Sequence, residues 1–491
     1  MPPQVVLVLP AAPFNHLRLT RLFGIYMASL KFLPIVLLLS SLTAAAAPAN
    51  DPWHAKAREI LEHSVNIPTV LGRDRVPELA AYLAAQYRAA GIADADIKIM
   101  PYEKTAALIV RWRAPNPSAK PIMVMAHMDV VEARREDWSD TDPFVFTEKD
   151  GYYYGRGTSD IKQGISATTT AILKLKAAGF VPTRDLIVFY TGDEETGGKG
   201  AELGATTWRG LLDAEYGLNS DGGGGGFASD GRALGFTLQT AEKTYANYTF
   251  TARNRGGHSS KPRADNAIYA LANALHKLET YRFTPIMNAT TRAYFEGREK
   301  GESGALGKAM RAWLKQPKNG AAADVIEADE GETGVTRTRC VATRLLGGHA
   351  DNALPQLASA NINCRIMPGT SPDAIRDELE KLVADRTVVV TRNDAQVSSL
   401  DSPLRADIMR AYADTVHARH PQAPVFPEMS TGASDARPFR VAGIPVYGVD
   451  GSWGVVPVDM RAHGRDERLP VKALDDDVDH WEMLLRKLAG K

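Results

Sequence analysis

Five short clusters of histidine and acidic residues contain the side chains of this 491-residue chain that could do chemistry. The clusters are Met125-Ala-His127-Met-Asp129, Gly155-Arg-Gly-Thr-Ser-Asp160, Thr191-Gly-Asp193-Glu194-Glu195, Asn219-Ser-Asp221 and Arg461-Ala-His463-Gly-Arg-Asp466-Glu467. Imidazoles and carboxylates bind hard to borderline divalent cations without any need for sulfur. Two such ions about 3.5–4 Å apart need a bridging carboxylate, and hydrolysis needs a free carboxylate to take a proton from water. The residue types therefore indicate a two-metal hydrolytic site.

Each cluster taken alone also has a structural interpretation. A histidine at a strand end, such as His127, is often structural, and Asp160 could simply cap the helix that follows it. Solvation of a loop would explain acidic residues at 193–195, but not their position at the carboxyl end of a strand between glycines. Asp466 and Glu467 could be either solvated or in support of the site. The spacing of His127 and Asp129 puts both side chains on one face of an extended segment, where the carboxylate can accept the spare imidazole N–H.

Apolar segments between the clusters predict the elements that position them. Strands are predicted at 107–112, 121–125, 186–190 and 216–220, and helices at 54–63, 77–90, 165–178 and 201–208. Alternating strands and helices predict an α/β fold with a mostly parallel sheet covered by helices on both faces. Ligands bind at the carboxyl ends of the strands in such sheets, which is where the clusters fall. The glycine run 222–226 is expected to be a flexible turn after a strand.

From residue 244 the pattern changes to that of a smaller domain. Strands at 248–252, 340–346, 358–366 and 387–391 and helices at 266–279 and 372–384 give the order β-α-β-β-α-β of a split βαβ sandwich. Residues 293–337 form an additional segment with a helical core near 309–314 and no assigned role. A helix at 404–418 returns the chain to the first domain. The predicted plan is a catalytic domain of residues 51–243 and 398–491, with residues 244–397 inserted into it.

Composition excludes several classes of protein. The chain has 58 Lys+Arg and 58 Asp+Glu residues and no basic block, which argues against a nucleic-acid partner. Its two cysteines cannot build a Cys-rich zinc module or a disulfide framework. Any metal is therefore expected to be held by His, Asp and Glu.

The N-terminus has the pattern of a secretory signal peptide. Lys31 precedes an apolar run at 32–42, and the small residues Ala44 to Ala47 follow it. The run is about half the length of a membrane-spanning helix. We expect residues 1–47 to be removed, with Met27 as an alternative start, and the product to be periplasmic or secreted without a stable membrane anchor. The alternative is a cytoplasmic protein with an apolar N-terminal helix.

The five clusters, in this order, resemble the motifs of the co-catalytic zinc aminoacylase/carboxypeptidase family. This family includes glutamate carboxypeptidase, Gly-Xaa carboxypeptidases, aminoacylases, and acetylornithine and succinyl-diaminopimelate deacylases, and the resemblance covers residues 55 to 488. It implies two Zn²⁺ per subunit, for which Co²⁺ or Mn²⁺ could substitute. The implied ligands are His127 and Asp221 for one ion, Glu195 and His463 for the other, and Asp160 as the bridge.

The resemblance also implies roles for residues that are not ligands. Glu194 would be the general base, and Asp129 would orient His127. In the smaller domain, which would serve as a lid and dimerisation domain, the implied substrate-binding residues are His258, Asn352 and Arg365, and in the catalytic domain the loop residue Gly432. His258 would act on the oxyanion, often from the partner subunit of a homodimer. In the loop 430–435, Gly-Ala-Ser-Asp stands where relatives often have Gly-Thr-Asp.

Three functions are compatible with these residues. The first is a secreted dinuclear zinc exopeptidase, a carboxypeptidase or dipeptidase acting on small peptides with a free C-terminal carboxylate. The second is an N-acyl-amino-acid amidohydrolase, which uses identical chemistry on a different acyl group. The third, a binding protein on a degenerate hydrolase scaffold, predicts loss of the base or of a ligand, whereas every expected position is filled. Whether Cys340 and Cys364, on neighbouring predicted strands, form a disulfide stays open.

Overall fold

The structure is a computed structural model that describes residues 51–139 and 141–490. The predicted signal peptide, residues 1–47, lies outside the described residues. The helices are α1 (Pro52–Val65), α2 (Val76–Ala89), α3 (Lys162–Ala177), α4 (Lys199–Ala205), α5 (Arg209–Leu212), α6 (Ala267–Thr280), α7 (Ala289–Arg298), α8 (Gly304–Lys315), α9 (Gly320–Glu327), α10 (Pro372–Val383), α11 (Ala406–Arg419), α12 (Ala436–Val441) and α13 (Val471–Ala489). The strands are β1 (Ile97–Tyr102), β2 (Thr105–Trp112), β3 (Ile122–His127), β4 (Thr147–Lys149), β5 (Tyr152–Tyr154), β6 (Leu186–Thr191), β7 (Tyr216–Phe227), β8 (Ala233–Glu242), β9 (Thr244–Arg253), β10 (Gly257–His258), β11 (Arg339–Gly347), β12 (Ala353–Leu354), β13 (Leu357–Ile366), β14 (Val388–Arg392), β15 (Val425–Ser430), β16 (Val446–Val455) and β17 (Arg468–Pro470).

An eight-stranded mixed sheet of order β1-β2-β6-β3-β7-β16-β8-β15 forms the centre of the protein. β3 pairs in parallel with β6 and with β7, and β7 pairs in parallel with β16. Every residue of β3 and β6 is buried, as expected of continuous apolar runs in a sheet that is covered on both sides. Val124 packs into the core with α1, α2, α3, α11 and α13, whereas its neighbours Met123 and Met125 pack with α4, α5 and α12. The predicted α/β fold is confirmed.

The parallel strands β3, β6 and β7 bring three of the polar clusters to one edge of this sheet. His127 is the last residue of β3, and Thr191, the last residue of β6, is followed directly by the acidic cluster 193–195. Because β3 lies between β6 and β7, the carboxyl ends of neighbouring strands meet at that edge. Asp221 lies further along β7, which continues as far as Phe227.

The expectation of a flexible turn at 222–226 is wrong, because these glycines lie inside β7. They pair with β16 on one side and with β8 on the other. A Cβ atom at Gly222 would lie 1.8 Å from Gln239 Oε1, and one at Gly225 would lie 2.4 Å from the Phe236 ring. The run therefore permits the close approach of neighbouring strands and side chains, which larger residues would prevent.

A second, four-stranded antiparallel sheet of order β11-β13-β9-β14 follows in the chain. Its elements occur in the predicted β-α-β-β-α-β order, and α6 and α10 pack on the same apolar core as the strands. Cys340 of β11 lies opposite Cys364 of β13, and the two form a disulfide. The open question about this pair is thus answered in favour of the bond.

The additional segment between α6 and β11 forms the three helices α7, α8 and α9. They share a small core that includes Phe295, Met310 and Trp313. The segment also contacts the central sheet, since Tyr294 of α7 packs edge-on against Phe426 of β15. It contacts the four-stranded sheet as well, since Glu327 of α9 forms an ion pair with Arg339 of β11. Among residues 51–139 and 141–490, no helix is both long enough and apolar enough to cross a membrane.

Candidate metal centre and active site

The first group of candidate ligands consists of His127, Asp160 and Asp221. Each offers one ligand atom, and these atoms lie within 4.8 Å of one another. His127 Nε2 is 3.3 Å from Asp160 Oδ1. His127 is buried at the end of β3, and Asp221 is half-buried in the neighbouring strand β7, so both are held by adjacent strands of the central sheet. This group could hold one cation.

The second group consists of Asp160, Glu195 and His463, whose ligand atoms also lie within 4.8 Å of one another. His463 Nε2 is 3.0 Å from Asp160 Oδ2 and 2.9 Å from Glu195 Oε1. The His463 side chain is 53% exposed, in contrast to the buried His127. Asp160 belongs to both groups and presents a different oxygen to each imidazole. The two groups could therefore hold two cations with one shared carboxylate.

Asp160 does not cap the helix that follows it. α3 begins at Lys162, and the residue at its cap position, Ile161, makes no side-chain capping bond. The carboxylate of Asp160 instead faces the two imidazoles. Burial acts to raise the pKa of Asp160, but the hydrogen bonds with His127 and His463 outweigh burial and lower it. The hydrogen bonds that the His463 imidazole donates to Asp160 and Glu195 raise the pKa of His463 to about 10.

Asp129 connects the strand β3 to the acidic cluster. Its carboxylate accepts the backbone N–H groups of Glu194 (3.1 Å) and Glu195 (3.0 Å). Its backbone carbonyl lies 3.0 Å from His127 Nδ1, and its Oδ1 lies 3.6 Å from the same nitrogen. Asp129 thus contacts the spare nitrogen of His127 chiefly through its carbonyl, while its carboxylate fixes the backbone that carries the two glutamates.

Glu194 and Asp221 are half-buried by solvent exposure, and their carboxylates lack a hydrogen-bond donor among the described residues. Burial raises the pKa of Glu194 well above its usual value, and the charges of Asp221, Asp435 and Glu195 raise it further. Burial and the charge of Asp160 likewise raise the pKa of Asp221 well above its usual value. An uncompensated group of buried carboxylates is unfavourable unless protons or cations neutralise it.

Asp435, the last residue of the loop 430–435, is a buried residue of the site whose role the sequence does not predict. Its carboxylate accepts a hydrogen bond from Thr191, at the end of β6. Burial raises the pKa of Asp435 to about 7, and the charges of Asp193 and Asp129 contribute to the rise. Asp193 belongs to neither candidate metal group and accepts hydrogen bonds from the Tyr102 hydroxyl and from the N–H groups of Lys199 and Gly200. Nothing in the local sequence distinguishes the role of Asp435 from that of Asp193.

Arg365 and Gly432 line one cavity of about 970 Å³, together with Lys243, Arg339 and Leu275. The Arg365 side chain has no hydrogen bond or ion pair among the described residues, and its guanidinium lies 4.9 Å from the centre of the Tyr245 ring. Burial lowers the pKa of Arg365, and the charge of Glu194 opposes this effect. Arg365 therefore interacts electrostatically with Glu194.

His258 and Asn352 are neighbours, but their contacts do not include the carboxylate cluster. His258 is in β10, which pairs with β12, and the Ser259 N–H donates to the Asn352 carbonyl. Both residues are exposed, and His258 Nδ1 accepts from the Ser260 N–H. Within one described chain, the structure therefore brings together the seven residues predicted as ligands, base and orienting group but not these two.

Comparison with known proteins gives consistent matches. The family model described as peptidase family M20/M25/M40 matches residues 123–487. A Dictyostelium discoideum protein named probable carboxypeptidase S-like 2 is 27% identical over 409 residues, covering 77% of this chain and 74% of the relative. The human N-fatty-acyl-amino acid synthase/hydrolase PM20D1 is 28% identical over 384 residues, covering 74% of this chain and 73% of the relative. The crystal structure of the M20 family metallo-carboxypeptidase Sso-CP2 from Sulfolobus solfataricus matches with a TM-score of 0.67 at 18% identity, over 88% of this chain and 98% of that one.

Proposed function

Because the chain belongs to peptidase family M20/M25/M40, we propose that this metal-dependent hydrolase cleaves the amide bond of small peptides that end in a free carboxylate. The observation that carries the proposal is the position of Asp160. Its Oδ1 faces His127 and its Oδ2 faces His463, at 3.3 and 3.0 Å. A carboxylate that presents one oxygen to each of two ligand groups is the feature that a two-metal site requires.

The donor set fits two divalent cations, for which we propose Zn²⁺ with Co²⁺ or Mn²⁺ as substitutes. Every donor atom is an imidazole nitrogen or a carboxylate oxygen, which suits these ions. The raised pKa of Asp221 supports the assignment, since burial makes its charged form costly without a nearby cation. One ion would be held by His127 and Asp221 and the other by Glu195 and His463, with Asp160 shared between them.

The residues around the metals would divide the remaining work. Bound divalent cations lower the pKa of water and polarise the scissile carbonyl. Glu194, which has no competing hydrogen-bond donor among the described residues, would take the proton of the attacking water and pass it to the leaving amine. Asp129 would keep Glu194 in place by accepting its backbone N–H at 3.1 Å.

Recognition of the substrate carboxylate is assigned to Arg365. A guanidinium without an anionic partner is a strong donor for a carboxylate, because its planar fork can form two parallel hydrogen bonds. Arg365 lies on the wall of the cavity that also includes Gly432, and the field of Glu194 reaches it. A substrate held by Arg365 would thus extend towards the proposed base.

A second candidate function is hydrolysis of N-acyl amino acids. The name of the human relative, N-fatty-acyl-amino acid synthase/hydrolase, favours this reading. The apolar residues Ala272, Leu275 and Val341 on the wall of the cavity also suit an apolar substituent. The two functions share the metals, the base and the free carboxylate, and they differ only in the acyl group on the carbonyl side of the amide.

A hydrolysis screen distinguishes these candidates. Dipeptides with a free carboxylate, the same dipeptides with a C-terminal amide, and N-acyl amino acids of increasing acyl length are offered to the chelator-treated enzyme before and after addition of Zn²⁺, Co²⁺ or Mn²⁺. We expect turnover only after metal addition and only with a free carboxylate. Equal cleavage of amidated dipeptides would contradict the role of Arg365, and faster cleavage of acyl amino acids than of dipeptides would select the second candidate.

We further propose that the mature protein is exported and forms a homodimer through the four-stranded sheet. β11 is an edge strand, and its Val341, Leu345 and Leu346 side chains are 60, 65 and 66% exposed. An exposed apolar edge strand favours pairing with a second copy. A partner subunit would also account for His258, whose contacts within one chain do not include the metal centre. Light scattering of the purified enzyme and N-terminal sequencing of the cell-derived protein test the two proposals.

A further inference from the structure

The loop that carries Asp160 and the loop that carries His463 are joined by a buried ion pair. Arg156 and Glu467 have side chains that are 3% and 0% exposed, and Arg156 Nη1 lies 2.5 Å from Glu467 Oε2. From the sequence alone, Glu467 could be either a solvated loop residue or a residue that supports the site. Its complete burial excludes the first interpretation.

Glu467 binds the backbone of the Asp160 loop with its other oxygen. Oε1 accepts the N–H groups of Gly157 (3.0 Å), Ser159 (2.9 Å) and Asp160 (3.2 Å). The Ser159 hydroxyl donates to the same oxygen. One carboxylate therefore fixes three amides of the loop, including the amide of the residue that both candidate metal groups share.

Arg156, which belongs to the Asp160 loop, in turn binds the backbone of the His463 loop. Its Nη2 donates to the carbonyls of His463 (3.2 Å) and Gly464 (2.9 Å). His463 has a φ of +61°, in the left-handed region that a residue with a side chain adopts only when its surroundings hold it there. The two hydrogen bonds from Arg156 are a local reason why it stays in this conformation.

We propose that Arg156 and Glu467 are positioning residues that set the distance between Asp160 and His463, and thereby the affinity for the cation shared by these two side chains. The effect on metal affinity rests on the proposed function, whereas the positioning of the two loops does not depend on it. Each loop would otherwise be free to move relative to the other, since the two segments are more than 300 residues apart in the sequence. A buried ion pair is seldom a net source of stability compared with an apolar pair of similar size, so its value here lies in fixing orientation.

The test compares Glu467→Gln with Asp185→Asn as a matched control. Asp185 accepts hydrogen bonds from Arg111 Nε at 2.7 Å and from the Ala114 N–H at 2.8 Å, but it precedes β6 at the opposite edge of the sheet from the site. Both variants lose one charge from a buried network. Arg156→Lys is a milder second variant, which keeps the charge but not the planar fork.

Zinc binding to each chelator-treated protein is measured by competition with a chromophoric chelator, and hydrogen exchange is measured on the same metal-free samples. We expect one of the two sites of Glu467→Gln to bind zinc about 10- to 100-fold more weakly than in the wild type, as is usual when a residue supporting a ligand is lost. Asp185→Asn should bind within twofold of the wild type. Exchange should accelerate in residues 155–160 and 461–467 of Glu467→Gln and of Arg156→Lys only.

The outcomes separate this inference from the proposed function. Wild-type zinc affinity in Glu467→Gln, or unchanged exchange at residues 461–467, would overturn the positioning role. Equal losses in Glu467→Gln and Asp185→Asn would overturn it as well, because the effect would then follow general stability. A wild-type protein that binds no metal would refute the proposed function, and the exchange comparison would still decide whether the pair holds the two loops together.

Discussion

Replacing both cysteines of the disulfide, as Cys340→Ala/Cys364→Ala, should destabilise the small domain by an amount that the loop length sets. The bond joins β11 to β13 across a sequence separation of 24 residues. In the chain-entropy model, closing a loop of this length removes about 12 cal/mol/K from the unfolded chain, which corresponds to about 3.5 kcal/mol at 25 °C. Cys364 is fully buried, so the two small alanine side chains add a modest packing loss to this figure.

Differential scanning calorimetry converts this free energy into a temperature. If all of residues 51–490 unfold together, an unfolding entropy of about 2.1 cal/mol/K per residue gives a fall in Tm of about 4 °C. If the inserted domain unfolds as its own unit of about 150 residues, the same free energy lowers the Tm of that transition by about 10 °C. The number and size of the shifted transitions therefore also report whether the two sheets unfold as one unit.

A reductant supplies the control for this prediction. Dithiothreitol should lower the Tm of the wild type to nearly that of the double variant, and should leave the variant unchanged. Two titratable thiols in the native, unreduced protein, or a Tm that responds to neither treatment, would refute the reasoning. Arg365 directly follows Cys364, so the variant should also show a raised KM for substrates with a free carboxylate.

Three further predictions concern the site itself. Glu194→Gln should retain its metal, and its kcat should fall by about 10²–10⁴-fold, the usual contribution of a general base. Asp160→Ala should instead lose both ions. Emission spectrometry measures the metal content of the two variants, and a full metal content in Asp160→Ala would contradict these roles. Arg365→Ala should raise the KM for free-carboxylate dipeptides by about 10- to 100-fold, since a hydrogen bond to a charged group contributes about 1.5–3 kcal/mol, and an equal effect on amidated dipeptides would refute the assignment. In the chelator-treated protein, burial raises the pKa of Asp435 to about 7, so the folded state holds this proton more tightly than the unfolded chain does. Its stabilising effect is then complete below about pH 4 and is lost as the pH rises to about 7, and urea unfolding should show a smaller loss over this range in Asp435→Asn than in the wild type.

The elements around the site could be predicted because each is an apolar run of distinctive period. β3 and β6 are continuous apolar segments that end in polar residues, which predicts buried parallel strands with chemistry at their carboxyl ends. Since β3 and β6 are neighbouring parallel strands, their pairing alone places His127 beside the acidic cluster. His463 had no such local signal, because β16, the strand that precedes it, ends at Val455, and His463 could be assigned only through the resemblance of its motif.

The glycine run shows where local sequence reasoning fails. Five consecutive glycines have no side chains to report a period, and their composition is that of a turn. The structure uses them in a strand because Gln239 and Phe236 occupy the space that their side chains would need. That requirement comes from side chains of the next strand, β8, so residues 222–226 alone could not reveal it.

Charged residues that support the site are also invisible to local reasoning, and the ion pair of Arg156 and Glu467 explains why. The cluster 461–467 predicts an exposed polar loop, and His463 itself is indeed half exposed. Four residues later Glu467 is fully buried, because the partners that satisfy it lie in the Asp160 loop near the other end of the chain. A buried carboxylate is tolerated only where hydrogen bonds and an opposite charge compensate it, and all of these come from residues 156–160. The C-terminal segment must therefore dock on the sheet before the second group of ligands exists, which makes metal binding a measure of how completely the two ends of the catalytic domain have assembled.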